Sequence, residues 1–253
     1  MGGPAGLEGT ARKGSSSPTG SRNKEDILTT TKLTRAAGIC AAAAGAIFIG
    51  VQIGHPDMDT TSITTTEVVV RNTLKIVMCA LALAGLTGMY LSQVHRNGSL
   101  GLIGYVVIGI GYLLIMSSTF VTAYVLPSIA GTDPSFVKDV IAAGTGDTPA
   151  GDLGAFGVVI QLQGFAYLVG GLLFGIALYR ARVLPRWASA LLAVGGLVSV
   201  ALSFMPDAFY RLLAFPNGIA MIALGYSLWN EKSVVIPEAV PSVSGSQPTP
   251  AGV

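Results

Sequence analysis

Charged residues are scarce in this sequence. Only 11% of the 253 residues are Asp, Glu, Lys or Arg, whereas about a quarter is usual in a soluble globular domain. Hydrophobic residues make up 51% of the chain, and the mean hydropathy is +0.64. So few charges cannot cover the surface of a water-soluble fold of this length. The composition therefore predicts an all-α, polytopic integral membrane protein whose main partner is the lipid bilayer.

Cysteine and histidine are also rare, and this excludes several classes of site. The two cysteines, Cys40 and Cys79, both fall in apolar segments, which argues against a disulfide scaffold or a thiolate metal cluster. His55 and His95 fall on opposite sides of the predicted membrane, so they cannot form a two-histidine metal site. Zinc-hydrolase, serine-hydrolase, P-loop and dinucleotide motifs are all missing. We therefore predict no metal, no cofactor and no recognisable catalytic residue.

The chain divides into two polar tails and an apolar centre. Residues 1–32 are rich in Gly, Ser, Pro and Thr and contain no apolar run, which predicts a disordered tail and not a signal peptide. Residues 231–253 predict a second disordered tail. The transmembrane domain, 33–230, contains six apolar runs that reach roughly the 20 residues a span needs. The predicted spans are 33–54, 74–94, 100–126, 155–179, 187–205 and 208–229.

The positive charges indicate an orientation for this six-span path. Only Arg71, Lys75, Lys138 and Arg211 fall on one side, and the remaining eleven of the 15 Lys and Arg residues fall on the side of the two tails. Cations near short loops stay in the cytoplasm, so both termini are predicted inside the cell, at the plasma membrane. The small net charge of +2 gives no reason to expect a nucleic-acid partner.

Two further segments have recognisable patterns. In the extracytoplasmic loop 127–154, Asp133 and Pro134 precede an amphipathic stretch, which predicts a short surface helix followed by a mobile Gly-rich loop. Small residues recur at four-residue spacing on the first span, and Gly171 and Gly175 do so on the fourth. These stripes predict helix packing inside the bundle, with a homo-oligomer contact as the alternative. The stripe on the first span is Ala42, Ala46, Gly50 and Gly54.

Polar side chains at membrane depth are the best functional lead, because they are costly to bury. They cluster in the extracytoplasmic half, where Lys75, Ser117, Ser118 and Thr122 also lie. This asymmetry predicts an outward-opening pocket, whereas the alternative is that each group bonds to its own backbone or a neighbouring helix. Gln161 and Gln163 cannot share one helix face, so we expect both to be covered by protein on a central fourth helix. One should line the pocket, and the other should bond to the third or sixth helix near Thr119 or Asn217. The candidate ligand-binding residues are Gln52, His55, Glu67, Arg71, Thr119, Gln161, Gln163 and Asn217.

Three classes of function remain open at this point. The first is binding or transport of a small polar or amphipathic molecule through the predicted pocket. The second is a membrane-embedded lipid-modifying enzyme that uses Asp57, Glu67 or His55 as acid or base. The third is a structural or accessory subunit of a membrane complex.

Several motifs resemble those of an uncharacterised actinobacterial family of six-helix membrane proteins. The most distinctive is the predicted cytoplasmic loop Leu184-Pro185-Arg186-Trp187-Ala188. Weaker points of similarity span positions 33 to 230; they begin at Gln52, Gly85, Leu100, Leu172 and Gly225. The resemblance implies the same topology and no particular activity.

Overall fold

The computed structural model describes residue 2 and residues 19–54, 56, 58–203 and 214–230. These residues form α-helices joined by turns, with no β-strand among them, so the all-α prediction is confirmed. Five residues, Val121–Val125, form a π-helical turn between two of the helices. The helices are α1 (Thr19–Gly50), α2 (Thr66–Leu91), α3 (Val94–Phe120), α4 (Leu126–Ile129), α5 (Pro134–Thr145), α6 (Gly154–Ala181), α7 (Arg186–Ser203) and α8 (Ala214–Asn230).

Four helical stretches are long and apolar enough to cross a bilayer, as expected of a membrane protein. They are Thr31–Gly50 in α1, Thr66–Leu91, the continuous run Val94–Ile129, and Gly154–Ala181. Each coincides with one of the first four predicted spans. The helices at the fifth and sixth predicted spans are shorter, at 18 residues for α7 and 17 for α8.

The first helix has different boundaries from those predicted. It begins at Thr19, so the prediction of a disordered tail through residue 32 is wrong for its second half. Once the apolar segment has nucleated the helix, extending it towards Thr19 costs little free energy per residue. At its other end, α1 stops at Gly50, and Gly54 adopts a left-handed backbone with φ +62°. The predicted tail 231–253 and the link 204–213 lie outside the described residues.

The long helices form a closed ring with up-down connections. Neighbours around the ring follow the chain, from α1 through α2, α3, α6, α7 and α8 and back to α1, and α8 also touches α2. Because α6 contacts α3 and α7 as one member of this ring, the prediction of a central fourth helix is wrong. We call the end that bears α4 and α5 the cap end. The other end, with the turns at 92–93 and 182–185, is the elbow end.

Glycines allow α1 and α8 to pack backbone against backbone. A Cβ atom added at Gly225 would lie 2.5 Å from the carbonyl oxygen of Gly38, and one added at Gly218 would lie 2.9 Å from that of Gly45. Both helices therefore present glycines seven residues apart, or two helical turns, to each other. Of the stripe predicted from the sequence, Ala42 lies in this contact, because a Cβ atom added at Gly225 would lie 2.6 Å from its backbone nitrogen. The other members, Ala46, Gly50 and Gly54, are exposed, so the prediction that they pack inside the bundle is wrong, and the homo-oligomer alternative stays a prediction.

Glycine packing also joins α3 to α6 and α6 to α7. A Cβ atom at Gly104 would lie 2.5 Å from the backbone nitrogen of Phe174, and one at Gly175 would lie 2.5 Å from that of Ala193. The packing role predicted for Gly175 is therefore confirmed. The ring encloses an apolar core, to which Leu86, Phe174 and the inward side of α8 contribute.

A second, smaller core closes the cap end. Ile63, Leu126 and Val137 are fully buried there, between the α1–α2 connection, α4 and α5. The predicted surface helix is present as α5, with the Asp133 carboxylate accepting a hydrogen bond from the Phe136 N–H at 3.0 Å. That bond, with a second from the Ser135 hydroxyl, lowers the pKa of Asp133.

The loop after α5 is held by one carboxylate. Asp139 accepts hydrogen bonds from the backbone N–H groups of Ala150 at 2.8 Å and Gly151 at 3.1 Å. The segment that the sequence predicts as a mobile loop is therefore tied back to α5.

Candidate functional site

Arg71 joins the end of α1 to the start of α2. Its guanidinium donates to the backbone carbonyls of Val51, Ile53 and Gly54, each at 3.0 Å. It also contacts Glu67, through Nε at 3.0 Å and Nη2 at 2.9 Å. Arginine has five N–H donors, and four of them make these hydrogen bonds. Arg71 therefore satisfies carbonyls that the end of α1 leaves without helical partners, and most of its donors are engaged within the protein.

We call Arg71 and the three carbonyls that it binds the Arg71 clamp. A groove of 430 Å³ lies beside it, between α1 and α2. Its walls are mainly apolar, with Ile47 and Val51 from α1 and its end, and Val70 and Leu74 from α2. Val70 and Leu74 are 51% and 42% exposed, so this side of the groove faces away from the ring interior. The groove opens towards the lipid side, and Glu67 and Arg71 are the predicted site residues that line it.

Gln163 and Gln161 behave differently, as their spacing requires. The side-chain oxygen of Gln163 accepts a hydrogen bond from the Ser118 hydroxyl at 2.6 Å, which links α6 to α3 one residue from the position predicted. Gln161 is exposed, so the prediction that protein covers both amides is wrong. Side chains two residues apart on a helix point in directions that differ by about 200°. Because Gln163 faces the neighbouring helix α3, Gln161 points out of the ring. Thr119 is half-buried next to Ser118.

The remaining predicted residues lie elsewhere. Asn217 is only 2% exposed, and a Cβ atom added at Gly195 would collide with its amide, so it fills the contact between α7 and α8. Gln52 is half-buried in the turn after α1, and His55 lies outside the described residues. The seven predicted residues that the structure describes are thus spread over at least three helix contacts instead of lining one pocket.

Hydroxyl groups at membrane depth mostly bond to their own helix. Ser117 donates to the carbonyl of Leu113 at 2.9 Å, and Thr122 donates to that of Ser118 at 3.0 Å. For these side chains the alternative reading, that polar groups satisfy their own backbone, is confirmed. They supply no reason to expect a pocket.

A polar stripe on α2 was not predicted from the sequence. Asn72, Lys75 and Cys79 lie at i, i+3 and i+7, so they share one helix face. That face points into the ring, because Asn72 is 3% exposed, Cys79 is fully buried, and Ala82 continues the same line with no exposed surface. The Asn72 amide nitrogen has no hydrogen-bond partner among the described residues. A lysine and a buried amide donor therefore occupy the interior face of a membrane-length helix, near the cap end.

Aromatic and irregular elements surround this stripe. The rings of Tyr112 on α3 and Tyr167 on α6 meet edge to face, with centroids 5.4 Å apart, and both pack in the same core as Cys79. Beside Asn72, the Thr73 hydroxyl hydrogen-bonds to that of Tyr124 at 2.8 Å. Tyr124 belongs to the π-helical turn, a local irregularity that proteins often use at functional sites.

One signal in the sequence could have revealed this stripe. Lys75 was among the polar residues recognised at membrane depth, but a search of its own helix at i−3 and i+4 would have added Asn72 and Cys79. The contributions of Tyr112 and Tyr167 come from other helices. They could not be inferred without the order of helices in the ring.

Two more buried amides lie at the elbow end. Gln93 is 2% exposed and both of its amide atoms lack partners, and Asn97 is 5% exposed with an unpartnered oxygen, among the described residues. The Asn97 amide nitrogen reaches the carbonyl of Tyr90 only at 3.5 Å. The turn is completed by Gly98, whose φ of +56° breaks the start of α3.

Comparisons with known proteins add no assignment. The chain matches no protein-family model, no curated protein and no solved structure. The resemblance to actinobacterial six-helix proteins therefore stays a prediction.

Proposed function

We propose that the chain spans the plasma membrane six times, with the cap end outside and both termini in the cytoplasm. Helices α7 and α8 complete the ring with α1 and lie at the lower limit of about 17 residues for a span. The excess of cations at the elbow end and in the tails supports this orientation. Arg96, Arg180, Arg182 and Arg186, in the elbow-end turns or at the helix ends beside them, are all exposed.

Cysteine labelling tests this topology. In intact cells, an impermeant maleimide should label Asp147→Cys at the cap end and should leave Ser99→Cys at the elbow end unlabelled until the membrane is permeabilised. Both positions are exposed, so accessibility to the reagent depends on the side of the membrane. The parent chain gives the background from Cys40 and Cys79. Labelling of both variants in intact cells would contradict the proposal.

For activity, we propose that the ring binds, and as a transporter or receptor responds to, a small solute that carries a negatively charged group. The observation that carries this proposal is the placement of Asn72 and Lys75 on the interior face of α2. An ionisable side chain inside a membrane domain is costly and is usually retained for a function. Lys75 brings a positive charge, and Asn72 brings amide donors, so both favour an acceptor such as a carboxylate or a phosphate.

The surroundings of Asn72 and Lys75 favour a small ligand over a large one. Below Lys75 the core is filled by Cys79, Ala82 and the two packed tyrosines, so the polar region is confined to the cap end of the ring. A charge bound in such apolar surroundings interacts more strongly with Lys75 than it would in water. The Arg71 clamp holds the start of α2, and therefore Asn72 beside it, in place. Because the polar region lies at the cap end, the solute would enter from the outer side.

Ligand-dependent thermal stability of the purified full chain in nanodiscs tests this proposal. Acetate, succinate, citrate and inorganic phosphate are the probes, each compared with a neutral analogue where one exists, such as acetamide. A ligand present at 100 times its Kd should stabilise the protein by about 2.7 kcal/mol. We expect at least one anion to raise the Tm, and Lys75→Met or Asn72→Leu to abolish that increase.

The matched control is Lys138→Met, which removes the same charge from an exposed position on α5. It should retain the full anion response. If no anion stabilises the parent chain, or if Lys75→Met responds as the parent does, the proposal is wrong. An enzyme based on Glu67 gains no support here, because Arg71 already engages that carboxylate.

A further inference from the structure

A second groove lies at the elbow end, on the far side of the molecule from Asn72 and Lys75. It has a volume of 480 Å³ and runs between the start of α7 and the end of α8. This volume falls in the range of about 300–1,000 Å³ that is usual for small-molecule sites. Its lining residues are Pro185, Trp187, Ala223, Tyr226, Ser227 and Asn230.

Large aromatic side chains are exposed around this groove. Trp187 is 59% exposed, Tyr226 is 58% exposed and Trp229 is 45% exposed, and the rings of Tyr226 and Trp229 have centroids 6.0 Å apart. Exposed Trp and Tyr at the ends of membrane helices concentrate at the level of the lipid headgroups. With the six-span topology proposed above, on which this inference rests, the groove opens where a headgroup meets its acyl chains.

The charge near the groove is positive. Arg180, Arg182 and Arg186 are exposed in and beside the turn between α6 and α7, and residues 176–203 and 214–230 contain no Asp or Glu. The Arg186 guanidinium lies 4.2 Å from the centre of the Tyr179 ring, which fixes this cation beside the start of α7. Glu231 and Lys232, which follow α8 in the sequence, cancel in charge. An anion at this end is therefore attracted.

We propose that this groove is a binding site for one anionic phospholipid. The Ser227 hydroxyl and the Asn230 amide supply donors for phosphate oxygens at the groove, and Arg186 supplies the nearby positive charge. Ala223 and the ring of Trp187 supply an apolar wall for the first part of an acyl chain. A basic groove between membrane helices is a recognised setting for an acidic headgroup.

The two tryptophans allow this proposal to be tested without a label. The chain contains only two, and both Trp187 and Trp229 lie at this groove or next to it. Bromine atoms on lipid chains quench tryptophan fluorescence on contact. We propose to reconstitute the full chain in phosphatidylcholine vesicles and to replace a small, increasing fraction of the lipid with brominated phosphatidylglycerol or brominated phosphatidylcholine. Trp229→Phe isolates the signal of Trp187.

We expect brominated phosphatidylglycerol to quench Trp187 at a fraction at least five times lower than brominated phosphatidylcholine does. Ser227→Ala with Asn230→Ala, and separately Arg186→Gln, should reduce that preference towards equality. The matched control is Arg96→Gln, which removes the same charge at the elbow end from the first turn of α3, across the ring from the groove. It should keep the preference.

Equal quenching by the two brominated lipids in the parent chain would mean that the groove holds ordinary annular lipid, and the proposal would be wrong. A preference that Arg96→Gln removes as completely as Arg186→Gln would also contradict it, because the attraction would then be a property of the whole surface. Quenching of Trp187 involves neither Lys75 nor Asn72. The result of the quenching experiment is therefore independent of the proposal that the ring binds a solute.

Discussion

Gly45→Val is expected to destabilise the protein by about 3 kcal/mol, at the upper end of the range for overpacked cores. A Cβ atom at position 45 would collide with the backbone carbonyl of Gly218 and would lie 2.9 Å from Cγ1 and 3.0 Å from the backbone nitrogen of Ile222. The main obstacle is backbone, which cannot rotate away as a side chain can. Helices α1 and α8 would have to separate, and their separation would open the ring where the first and last long helices meet.

The next residue in the sequence provides the control. Ala46 is exposed and lies about 100° around α1 from Gly45, so Ala46→Val introduces the same β-branched side chain at a position that α8 does not cover. Its effect should stay below about 0.5 kcal/mol, as for most surface substitutions. Thermal unfolding in detergent should then show a Tm lowered by roughly 6–12 °C for Gly45→Val alone, given about 2–4 °C per kcal/mol. Equal effects of the two variants would contradict the observed orientation of α1.

The error in the predicted stripe has a physical cause. Between Ala36 and Ala46 the sequence is almost entirely Ala and Gly, so several faces of α1 are smooth enough to pack against another helix. The four-residue spacing within α1 predicted a packed face that includes Ala42 and Ala46. What identifies the packed face is a match between two helices, because Gly38 and Gly45 have the same seven-residue spacing as Gly218 and Gly225. Patterns within one helix cannot supply that information.

Apolar length was sufficient to predict the helices themselves. Predicted spans 155–179 and 187–205 lie close to α6 and α7, because turns with Gly, Pro and Arg interrupt the apolar runs there. The boundary was least accurate where a helix continues beyond the apolar run, as at Thr19. In water the chain is free to extend or end a helix according to local capping, which hydropathy does not measure.

The candidate site could be predicted only in part, for a related reason. Gln163 bonds to Ser118 much as the sequence analysis expected, since a buried amide must find a partner on an adjacent helix. Gln161 did not follow, because its surroundings depend on whether α6 is central or peripheral. For Asn72 and Lys75, the burial of the α2 face depends on a ring whose closure joins helices far apart in sequence.

Arg71→Met is expected to destabilise the protein by about 3 kcal/mol and to loosen the end of α1. Hydrogen bonds from charged groups contribute about 1.5–3 kcal/mol each, and the Arg71 side chain, at 19% exposed, makes three to carbonyls of residues 51–54. Partial exposure reduces each of these contributions, so the sum is well below the maximum. Arg71→Lys should recover less than half of the lost stability. The lysine ammonium group has only three donors and cannot reach the same carbonyls as the planar guanidinium of arginine.

Glu67→Gln separates the carbonyl clamp from the ion pair. Glu67 is 56% exposed, and such a pair contributes at most about 1 kcal/mol, so this variant should be nearly as stable as the parent chain. Hydrogen exchange gives the local readout. Amides in the turn 51–54 and in the first turn of α2 should exchange faster in Arg71→Met, whereas amides at the elbow end should not change before global unfolding. If Glu67→Gln proves as damaging as Arg71→Met, the bonds from Arg71 to the end of α1 depend on Glu67, which lies on the same helix and orients the guanidinium. The position of Asn72 and Lys75 would then depend on the charge of Glu67, and their anion response would weaken in Glu67→Gln.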